Sequence, residues 1–378
     1  MQLPVDVKAI IDEATNIDEA RRTSLSVSVY IDDSAPGDVQ AHVRQAFASA
    51  SPHARVSLMY LDGRPFAPYA GDDMAVIVAG LNDHVGAYAE DLRLAGVPVM
   101  VATTLPSLVA EIAKTQGHAI TQGDLVSPKV VKPKQLPPAD GQAAPAAQAQ
   151  PAGEPIALDA AAAASLSERM GGWVVDACNE KRLAFALAFP FVRKPLSMES
   201  VNATALQNAG VGLLVIIPGA DMPVMTLNQA KMLLMIAAAY GEELNMERVK
   251  ELAALVGGAF ACRAVARQLV AFVPGLGWAV KAAIGYTGTL AMGRAAIEYY
   301  EGGAGFAKLT DAVASARDKV VQAAAKRAAE KAQASGAKAV GAVRAKAAQA
   351  AGGVRSAAGS ARSAASARLG RGKAGKQA

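Results

Sequence analysis

The chain has 378 residues, enough for two ordinary domains and flexible segments, and its hydrophobic content of 52% comes mostly from residues that suit close-packed helices. The net charge of +5 belongs to residues 331–378, which carry ten Lys or Arg and no Asp or Glu, whereas the rest of the chain is net acidic. Cys178 and Cys262 form no CxxC motif and imply no oxidising compartment, and residues 1–6 lack a secretory signal, so we expect a cytoplasmic location.

The first predicted elements are short. Leu25–Ile31 alternates apolar and polar residues as a strand does, and the acidic pair Asp32-Asp33 ends it. A helix is predicted over Pro36–Ser49, because its apolar residues fall on one helical face. A second strand is predicted over Arg55–Leu61.

Four further segments continue this alternation. Met74–Ala79 and Pro98–Ala102 are continuous apolar runs, typical of strands that are buried on both faces. Val85–Leu94 and Leu105–Gln116 are predicted helices. Strands and helices that alternate with short connections predict a small three-layer α/β domain, Rossmann-like and with a mostly parallel sheet, over residues 1–126.

Residues 127–156 break the alternation with seven prolines among Ala, Gln and Lys, a composition that predicts a flexible linker. Residues 157–305 have helical patterns throughout and predict an apolar all-α domain. Its predicted helices are Asp159–Asn179, Val201–Ile217, Pro223–Tyr240, Met246–Phe272 and Leu276–Tyr300.

Three runs of about 12 residues in this helical domain contain no charged residue: 209–220, 269–280 and 282–293. A membrane-spanning helix needs roughly 20 such positions. We therefore expect buried helices of a soluble bundle, with re-entrant or interfacial membrane contact as the alternative.

Residues 306–378 form a basic, Ala-rich tail that we expect to be partly helical or disordered. Its basic residues often recur six or seven positions apart, which would place them along one side of a helix. They are candidate contacts to an anionic membrane surface or to nucleic acid, and the alternative is a solubilising tail without a fixed partner. The candidate contacts are Lys331, Lys338, Arg344, Lys346, Arg355, Arg362, Arg368 and Arg371.

Several short segments of the helical domain carry a resemblance to a known family. In chain order they are Pro218-Gly219-Ala220-Asp221-Met222-Pro223, Gln229-Ala230-Lys231-Met232-Leu233, Ile236 through Ala239-Tyr240-Gly241, Arg263 and Arg267 before Pro274-Gly275-Leu276-Gly277, Thr289-Leu290-Ala291-Met292-Gly293, and Tyr299-Tyr300. Through them, residues 201–301 resemble a bacterial family of unknown function, numbered 697, which accompanies GTPase domains and includes inner-membrane relatives. The resemblance implies paired helices with a Pro-Gly connection and a membrane-proximal or GTPase-linked role, and it implies no catalytic residue.

This association makes a comparison of the N-terminal domain with GTPases worthwhile. A P-loop has the pattern GxxxxGKS/T between a strand and a helix, so that backbone amides and the lysine hold phosphate. At this position the chain has Asp32-Asp33-Ser34-Ala35-Pro36-Gly37-Asp38-Val39. Asp32 replaces the first glycine, Asp38 the lysine and Val39 the hydroxyl residue. The domain thus weakly resembles a degenerate GTPase-like domain that binds no nucleotide.

Ligands of open α/β sheets bind beyond the carboxyl ends of the strands. Polar residues follow several strands here and form a candidate ligand site, including one for a divalent cation. The alternative is that such residues are simply common where strands become turns. A response-regulator receiver is disfavoured because no phosphoacceptor aspartate ends Met74–Ala79. The candidate ligand residues are Asp32, Asp33, Asp83, Thr103 and Thr104.

The four histidines show no HxxxH or HExxH spacing, and no GxSxG motif occurs, so the sequence predicts no zinc site, catalytic residue or cofactor. We expect a non-catalytic adaptor or scaffold that meets a protein partner, such as a GTPase, or the inner face of the cytoplasmic membrane. One alternative is a nucleic-acid-associated protein that acts through its tail. Another is a switch that binds a ligand or metal at the acidic strand ends.

Overall fold

The structure, a computed structural model, describes residues 17–49, 51–61, 65–129, 154–214, 221–243 and 277–302. Its strands are β1 (Leu25–Ile31), β2 (Ala54–Tyr60), β3 (Met74–Val78), β4 (Val99–Ala102) and β5 (Leu125–Val126). Its helices are α1 (Gly37–Ala46), α2 (Val85–Leu94), α3 (Pro106–Thr115), α4 (Ala160–Ala177), α5 (Arg182–Ala188), α6 (Pro190–Leu214), α7 (Asp221–Ala239) and α8 (Gly277–Glu301). The predicted helix Met246–Phe272 and the tail 306–378 lie outside the described residues.

The five strands form one parallel sheet in the order β2-β1-β3-β4-β5. The predicted parallel sheet is thereby confirmed, and both Leu25–Ile31 and Val85–Leu94 have their predicted bounds. β1 pairs with β2 over its whole length and with β3 from Val27 to Ile31. The strand order changes direction between β1 and β3, a topological switch point of the kind beside which α/β proteins bind ligands.

Helices cover both faces of the central strands, which explains why these strands are apolar throughout. All residues of β3 and β4 are buried. On one face, Leu92 of α2 and Val109 of α3 pack with Ile77 of β3 in a single core. Against the other face, α1 buries Val39 and Val43. Each of these side chains contributes about 2 kcal/mol to the free energy of unfolding through its removal from water.

The described residues between β2 and β3, 61 and 65–73, form no helix and cover part of the sheet. Phe66, one of these residues, packs against Tyr30 of β1, with ring centroids 5.0 Å apart. The same ring stacks on Tyr88 of α2 at 4.3 Å. Two aromatic contacts therefore fill the space that a connecting helix occupies in most α/β proteins.

The compact unit that contains the sheet extends past residue 126. It comprises residues 15–199 and 236–243, so that α4 and α5 belong to it. α4 packs against β4 and β5, and Trp173 of α4 donates a hydrogen bond from Nε1 to Asp124 Oδ1 at 3.1 Å. The sequence analysis ends the α/β domain at residue 126 instead, because the apolar face of a helix does not show which surface the helix packs against.

Both ends of the predicted linker attach to this same unit. Before it, the backbone N–H of Lys129 donates to Ser165 Oγ of α4 at 3.0 Å. After it, the backbone N–H of Ile156 donates to the carbonyl of Thr104, just beyond β4, at 2.8 Å. Residues 130–153 lie outside the described residues. The residues on both sides of this gap are therefore bound to the sheet-containing unit.

The second compact unit includes the described residues 200–235 and 277–302, which belong to α6, α7 and α8. α6 begins at Pro190, before the predicted start at Val201, and continues through Pro195. Pro190 costs little because the first residues of a helix have no hydrogen-bond partner for their amides. Pro195 removes one helical hydrogen bond, which makes this helix hard to recognise from sequence.

The other two predicted helices of this region are found with shifts of one or two residues. Pro223–Tyr240 corresponds to Asp221–Ala239, after which Gly241 takes a left-handed backbone conformation with φ of 87°. Leu276–Tyr300 corresponds to Gly277–Glu301. Within the part of the chain that the structure describes, no helix combines the length and apolar character needed to cross a bilayer.

Candidate functional site

The loops after β1 and β3 meet at the carboxyl edge of the sheet, where the sequence predicts a ligand site. Asp32, directly after β1, is only 3% exposed. Its Oδ1 accepts hydrogen bonds from the backbone N–H and the hydroxyl of Ser34, at 2.9 and 2.7 Å. Its Oδ2 accepts from the backbone N–H groups of Gly80 and Asn82, at 2.7 and 3.2 Å. The Asp32 carboxylate is thus engaged by the chain itself and joins the two loops across the switch point.

Gly80 brings the same two loops into close contact. A β-carbon on this residue would lie 2.3 Å from the backbone nitrogen of Ala35 and from the carbonyl carbon of Ser34. Ser34 Oγ also accepts a hydrogen bond from the backbone N–H of Leu81, at 2.7 Å. Backbone therefore meets backbone where the loop after β1 passes the residues that follow β3.

The loop that corresponds to a P-loop presents acidic groups at the start of α1. Asp38 lies in the first turn of this helix, and its Oδ1 accepts a hydrogen bond from the backbone N–H of Val39 at 2.8 Å. Helix N-termini attract anions, and the chain supplies its own carboxylate at this one. Asp33 and Asp38 are both exposed, so their charges oppose the approach of a phosphate.

Thr103 and Thr104 follow β4 and are both fully buried, but their hydroxyl groups differ. Thr103 Oγ1 donates to the carbonyl of Ala79 at 2.8 Å and accepts from the backbone N–H of Leu105 at 2.9 Å. Among the described residues, Thr104 Oγ1 has no hydrogen-bond partner. Thr103 therefore ties the end of β3 to the start of α3, whereas the Thr104 hydroxyl is buried without compensation.

Asp33 and Asp83, the remaining candidate residues, are exposed. Asp83 Oδ1 lies 3.6 Å from Nε2 of its neighbour His84. Across the described ranges, no group of three or more His, Cys, Asp or Glu residues is arranged to hold a metal ion. The structure thus joins Asp32 and Thr103 to the end of β3 and leaves Asp33 and Asp83 at the surface.

Another carboxylate, Glu154, reaches the same edge from the far end of the predicted linker. Its two oxygens accept hydrogen bonds from the backbone N–H groups of Ser107 and Leu108, at 2.6 and 3.0 Å, in the first turn of α3. Burial acts to raise the pKa of this carboxyl group, but the hydrogen bonds from Ser107 and Leu108 outweigh burial and lower the pKa. The sequence gives no local signal for Glu154, because Leu108 lies 46 residues earlier.

A second polar cluster lies at the opposite, amino edge of the sheet. Ser26 donates from its hydroxyl to Asp72 Oδ1 at 2.7 Å and from its backbone N–H to Asp73 Oδ2 at 2.9 Å. Arg55 Nη1 lies 3.6 Å from Asp72 Oδ1, and Lys181 Nζ lies 2.6 Å from Asp73 Oδ1. Each carboxylate has its own cation, so this cluster fastens the start of β3 to β1. The Asp72-Asp73 pair before a buried strand is a sequence signal that our prediction passes over.

Cys178 lies beside this amino-edge cluster. Its Sγ is 3.8 Å from the backbone oxygen of Asp73. Burial, followed by the negative charge of Asp73, raises the pKa of the thiol to about 12. A cysteine nucleophile needs a thiolate near neutral pH. The Cys178 thiol therefore stays protonated and lacks the activation that catalysis requires.

No family model matches the chain, and neither the curated proteins nor the solved structures contain a match to it. The resemblance of residues 201–301 to the family numbered 697 therefore remains a prediction from the residues quoted above. Inference about function depends on the geometry and the charge pattern of the chain itself.

Proposed function

We propose that this protein is a non-catalytic adaptor or scaffold, whose α/β unit binds no nucleotide and acts as a platform for a protein partner. The observation that carries this proposal is the contact between the loops after β1 and β3 at the carboxyl edge of the sheet, which we interpret as a closed edge. Four hydrogen bonds engage the Asp32 carboxylate, and the backbone of Gly80 lies directly against Ser34 and Ala35. An α/β enzyme keeps this crevice open for its ligand.

The other groups near the sheet support the same proposal. Thr103 is committed to hydrogen bonds within the chain, and Glu154 accepts from the amides of α3 that an anionic ligand would otherwise use. The Cys178 thiol is protonated at physiological pH. In each case a group that could serve chemistry or ligand binding serves the fold.

Two features support the attachments of such an adaptor. Residues 201–301 resemble a family that accompanies GTPase domains, which favours a GTPase as the protein partner. Residues 331–378 carry ten basic and no acidic residues, which favours contact with the anionic inner face of the cytoplasmic membrane. Each basic residue near such a surface contributes about 1 kcal/mol.

Calorimetric titration of the full chain with GTP, GDP and ATP in the presence of Mg²⁺ tests the closed edge. We expect no saturable heat and no change in melting temperature with any of the three, while a known GTPase measured in parallel binds GTP. Saturable one-to-one binding of any of the nucleotides would contradict the proposal, because the crevice would then open in solution.

Co-sedimentation with phosphatidylcholine vesicles, with and without phosphatidylserine, tests the membrane attachment. We expect the full chain to bind only the anionic vesicles, and to lose binding at high salt. A variant in which the eight candidate tail residues are replaced by Gln should not bind. Salt-resistant binding by this variant would mean that residues outside the tail contact the membrane. Salt-sensitive retention on DNA without vesicle binding would favour the nucleic-acid alternative.

A further inference from the structure

β2 is the terminal strand of the sheet, and none of the described strands pairs with its outer side. Its last three residues, Leu58, Met59 and Tyr60, are 46%, 36% and 46% exposed. Natural edge strands are usually protected from other strands by Lys, Pro, a bulge or a covering segment. β2 contains no Lys or Pro, and its exposed end is apolar. This edge therefore has the properties of a pairing surface.

The one charged residue of β2, Arg55, is directed toward its own sheet. Its Nη1 donates to Ser26 Oγ at 2.9 Å and lies 3.6 Å from Asp72 Oδ1. Its guanidinium group also lies over the ring of Tyr69, 5.0 Å from the centroid. The charge of Arg55 is thus partnered within the chain and does not repel a second strand.

The hydrogen bonds at the two ends of the β1–β2 ladder define which backbone groups of β2 face outward. Leu25 N–H donates to the carbonyl of His53, and Leu61 N–H donates to the carbonyl of Ile31. In a parallel ladder alternate residues bond to the neighbouring strand. Odd-numbered residues of β2 therefore bond to β1, and the backbone groups of Val56, Leu58 and Tyr60 point away from it.

Self-pairing has one register that uses the whole strand. Two identical antiparallel strands are related by a dyad normal to the sheet, so each residue must face one that points to the same side of the sheet. With Ser57 on the dyad, Val56 faces Leu58 of the second copy, and the outward backbone groups form about six hydrogen bonds. A dyad at Val56 would bring Pro52, which has no N–H, opposite Tyr60.

The side chains are compatible with this register. Arg55 faces Met59 of the second copy, so the two guanidinium groups are not opposite one another. Val56 and Leu58 lie on the side of the sheet where they line a groove of about 380 Å³ together with Val29 and Phe47. Pairing about the dyad places Val56 of each copy opposite Leu58 of the other, which removes part of these two apolar side chains from water.

We propose that β2 is a dimerisation edge: two copies of this chain pair their β2 strands antiparallel about Ser57 and join their sheets into one. The pairing is independent of the nucleotide question, because it uses the outer edge of β2 and not the loops that follow β1 and β3. A homodimer would present two copies of the basic tail and of the partner-binding surface, which increases the avidity of an adaptor.

Sedimentation velocity of the full chain over a range of concentrations tests the dimer. We expect a reversible monomer–dimer equilibrium. Leu58→Lys should raise the dissociation constant about tenfold or more, because the dyad introduces the charge twice. Leu94→Lys is the matched control, since Leu94 on α2 is 80% exposed and distant in sequence from β2, and it should leave the equilibrium unchanged. Circular dichroism checks that both variants fold.

Disulfide cross-linking of variants with one added cysteine tests the register in which the two β2 strands pair. Ser57→Cys should form a disulfide-linked dimer on mild oxidation, because residues on the dyad lie about 4.5 Å apart between their α-carbons. Met59→Cys is more exposed, but its two copies would be about 13 Å apart and should not cross-link. The unmodified chain controls for Cys178 and Cys262.

Three results would overturn the proposal. A chain that is monomeric at every concentration would show that β2 does not pair with a second copy, and would favour a strand of another protein as its partner. A dimer that Leu58→Lys does not weaken would place the interface elsewhere. Cross-linking of Met59→Cys in preference to Ser57→Cys would exclude the register about Ser57.

Discussion

The two compact units bury polar side chains in different places. In the α/β unit, Asp32 and Thr103 lie at the ends of strands, where they hold loops together. In the helical unit, the buried polar groups lie within helices. Thr289 Oγ1 of α8 accepts hydrogen bonds from Asn208 of α6 and Gln229 of α7, both at 2.9 Å, and donates to the carbonyl of Gly285 at 2.7 Å.

This difference follows from how each unit fixes the alignment of its strands or helices. In a sheet, backbone hydrogen bonds already fix which residues face one another, so Asp32 and Thr103 are free to hold the loops at the strand ends. Helices rich in Ala, Leu and Met can pack in several registers with similar burial. A buried network that joins α6, α7 and α8 is satisfied in only one of them. We infer that Thr289 specifies the helical packing.

The largest expected effect is at Gly80, where the contact is with backbone. Gly80→Ala should lower the free energy of unfolding by about 3 kcal/mol, because Ser34 and Ala35 cannot rotate away. Gly293→Ala in α8 should cost less, about 2 kcal/mol, because Ala favours the helix and its β-carbon meets the side chain of Val201 and not backbone. Urea unfolding with hydrogen–deuterium exchange assigns each loss to its unit.

The double variant Gly293→Ala with Val201→Ala provides the control for this comparison. It should be more stable than the sum of the two single losses, because truncation of Val201 makes room for the new methyl group. Simple additivity would contradict the contact, and equal losses at Gly80 and Gly293 would contradict the distinction between the two units.

A smaller effect is expected from the network of the helical unit. Thr289→Val keeps the shape of the side chain but removes the hydroxyl that accepts from the amides of Asn208 and Gln229, and we expect a loss of about 2 kcal/mol. Thr287→Val is the matched control. Thr287 Oγ1 donates to the carbonyl of Ala283 at 2.7 Å, in the same way as Thr289 to Gly285, but Thr287 is exposed. Its replacement should be nearly neutral in urea unfolding.

The adjacent threonines of the α/β unit should respond in opposite directions. Thr103→Val removes two hydrogen bonds and should cost about 1.5 kcal/mol. Thr104→Val removes a buried hydroxyl without a partner and should be neutral or stabilise the unit by up to about 1 kcal/mol. Thermal unfolding of the two variants compares them directly. A loss at Thr104 similar to that at Thr103 would show that the Thr104 hydroxyl has a partner in solution.

The smallest effect is expected at Glu154. A carboxyl group whose pKa is lowered by folding stabilises the fold above its ordinary pKa, here 4.5, and this contribution is lost as the pH falls through the lowered value. Glu154→Gln should therefore cost less than about 1 kcal/mol at neutral pH, with a difference from the parent chain that disappears in acid. A difference that persists in acid would mean that the carboxylate charge does not contribute.

Local pattern is sufficient to predict four of the five strands and most helices of the α/β unit, and it misses the two-residue strand β5. Leu25–Ile31 alternates and Met74–Val78 is apolar throughout, and burial on one or both faces produces these patterns directly. α6 was predicted to begin too late because Pro195 interrupts its pattern. The assignment of α4 to the sheet was not predictable, since it depends on contacts such as Trp173 with Asp124.

The candidate site was predictable only as a position. The rule that ligands bind at the carboxyl edge led to Asp32 and Thr103, which do lie there. Whether these residues face a ligand or one another depends on Gly80 and Asn82, nearly fifty residues away in sequence. The residues that follow a strand do not show which residues, distant in sequence, they contact. Glu154 is not predicted for the same reason.

The attachment of both ends of the 130–153 connection to one unit has a consequence for protein engineering. Lys129 is bound to α4, and Ile156 is bound to the end of β4, so both ends of the connection lie on the same compact unit. Its proline-rich composition predicts flexibility, and in a flexible connection each doubling of length costs only about 0.6 kcal/mol. A fluorescent reporter or a protease site inserted there should leave the sheet intact, and a chain cut at that point should remain associated as two fragments.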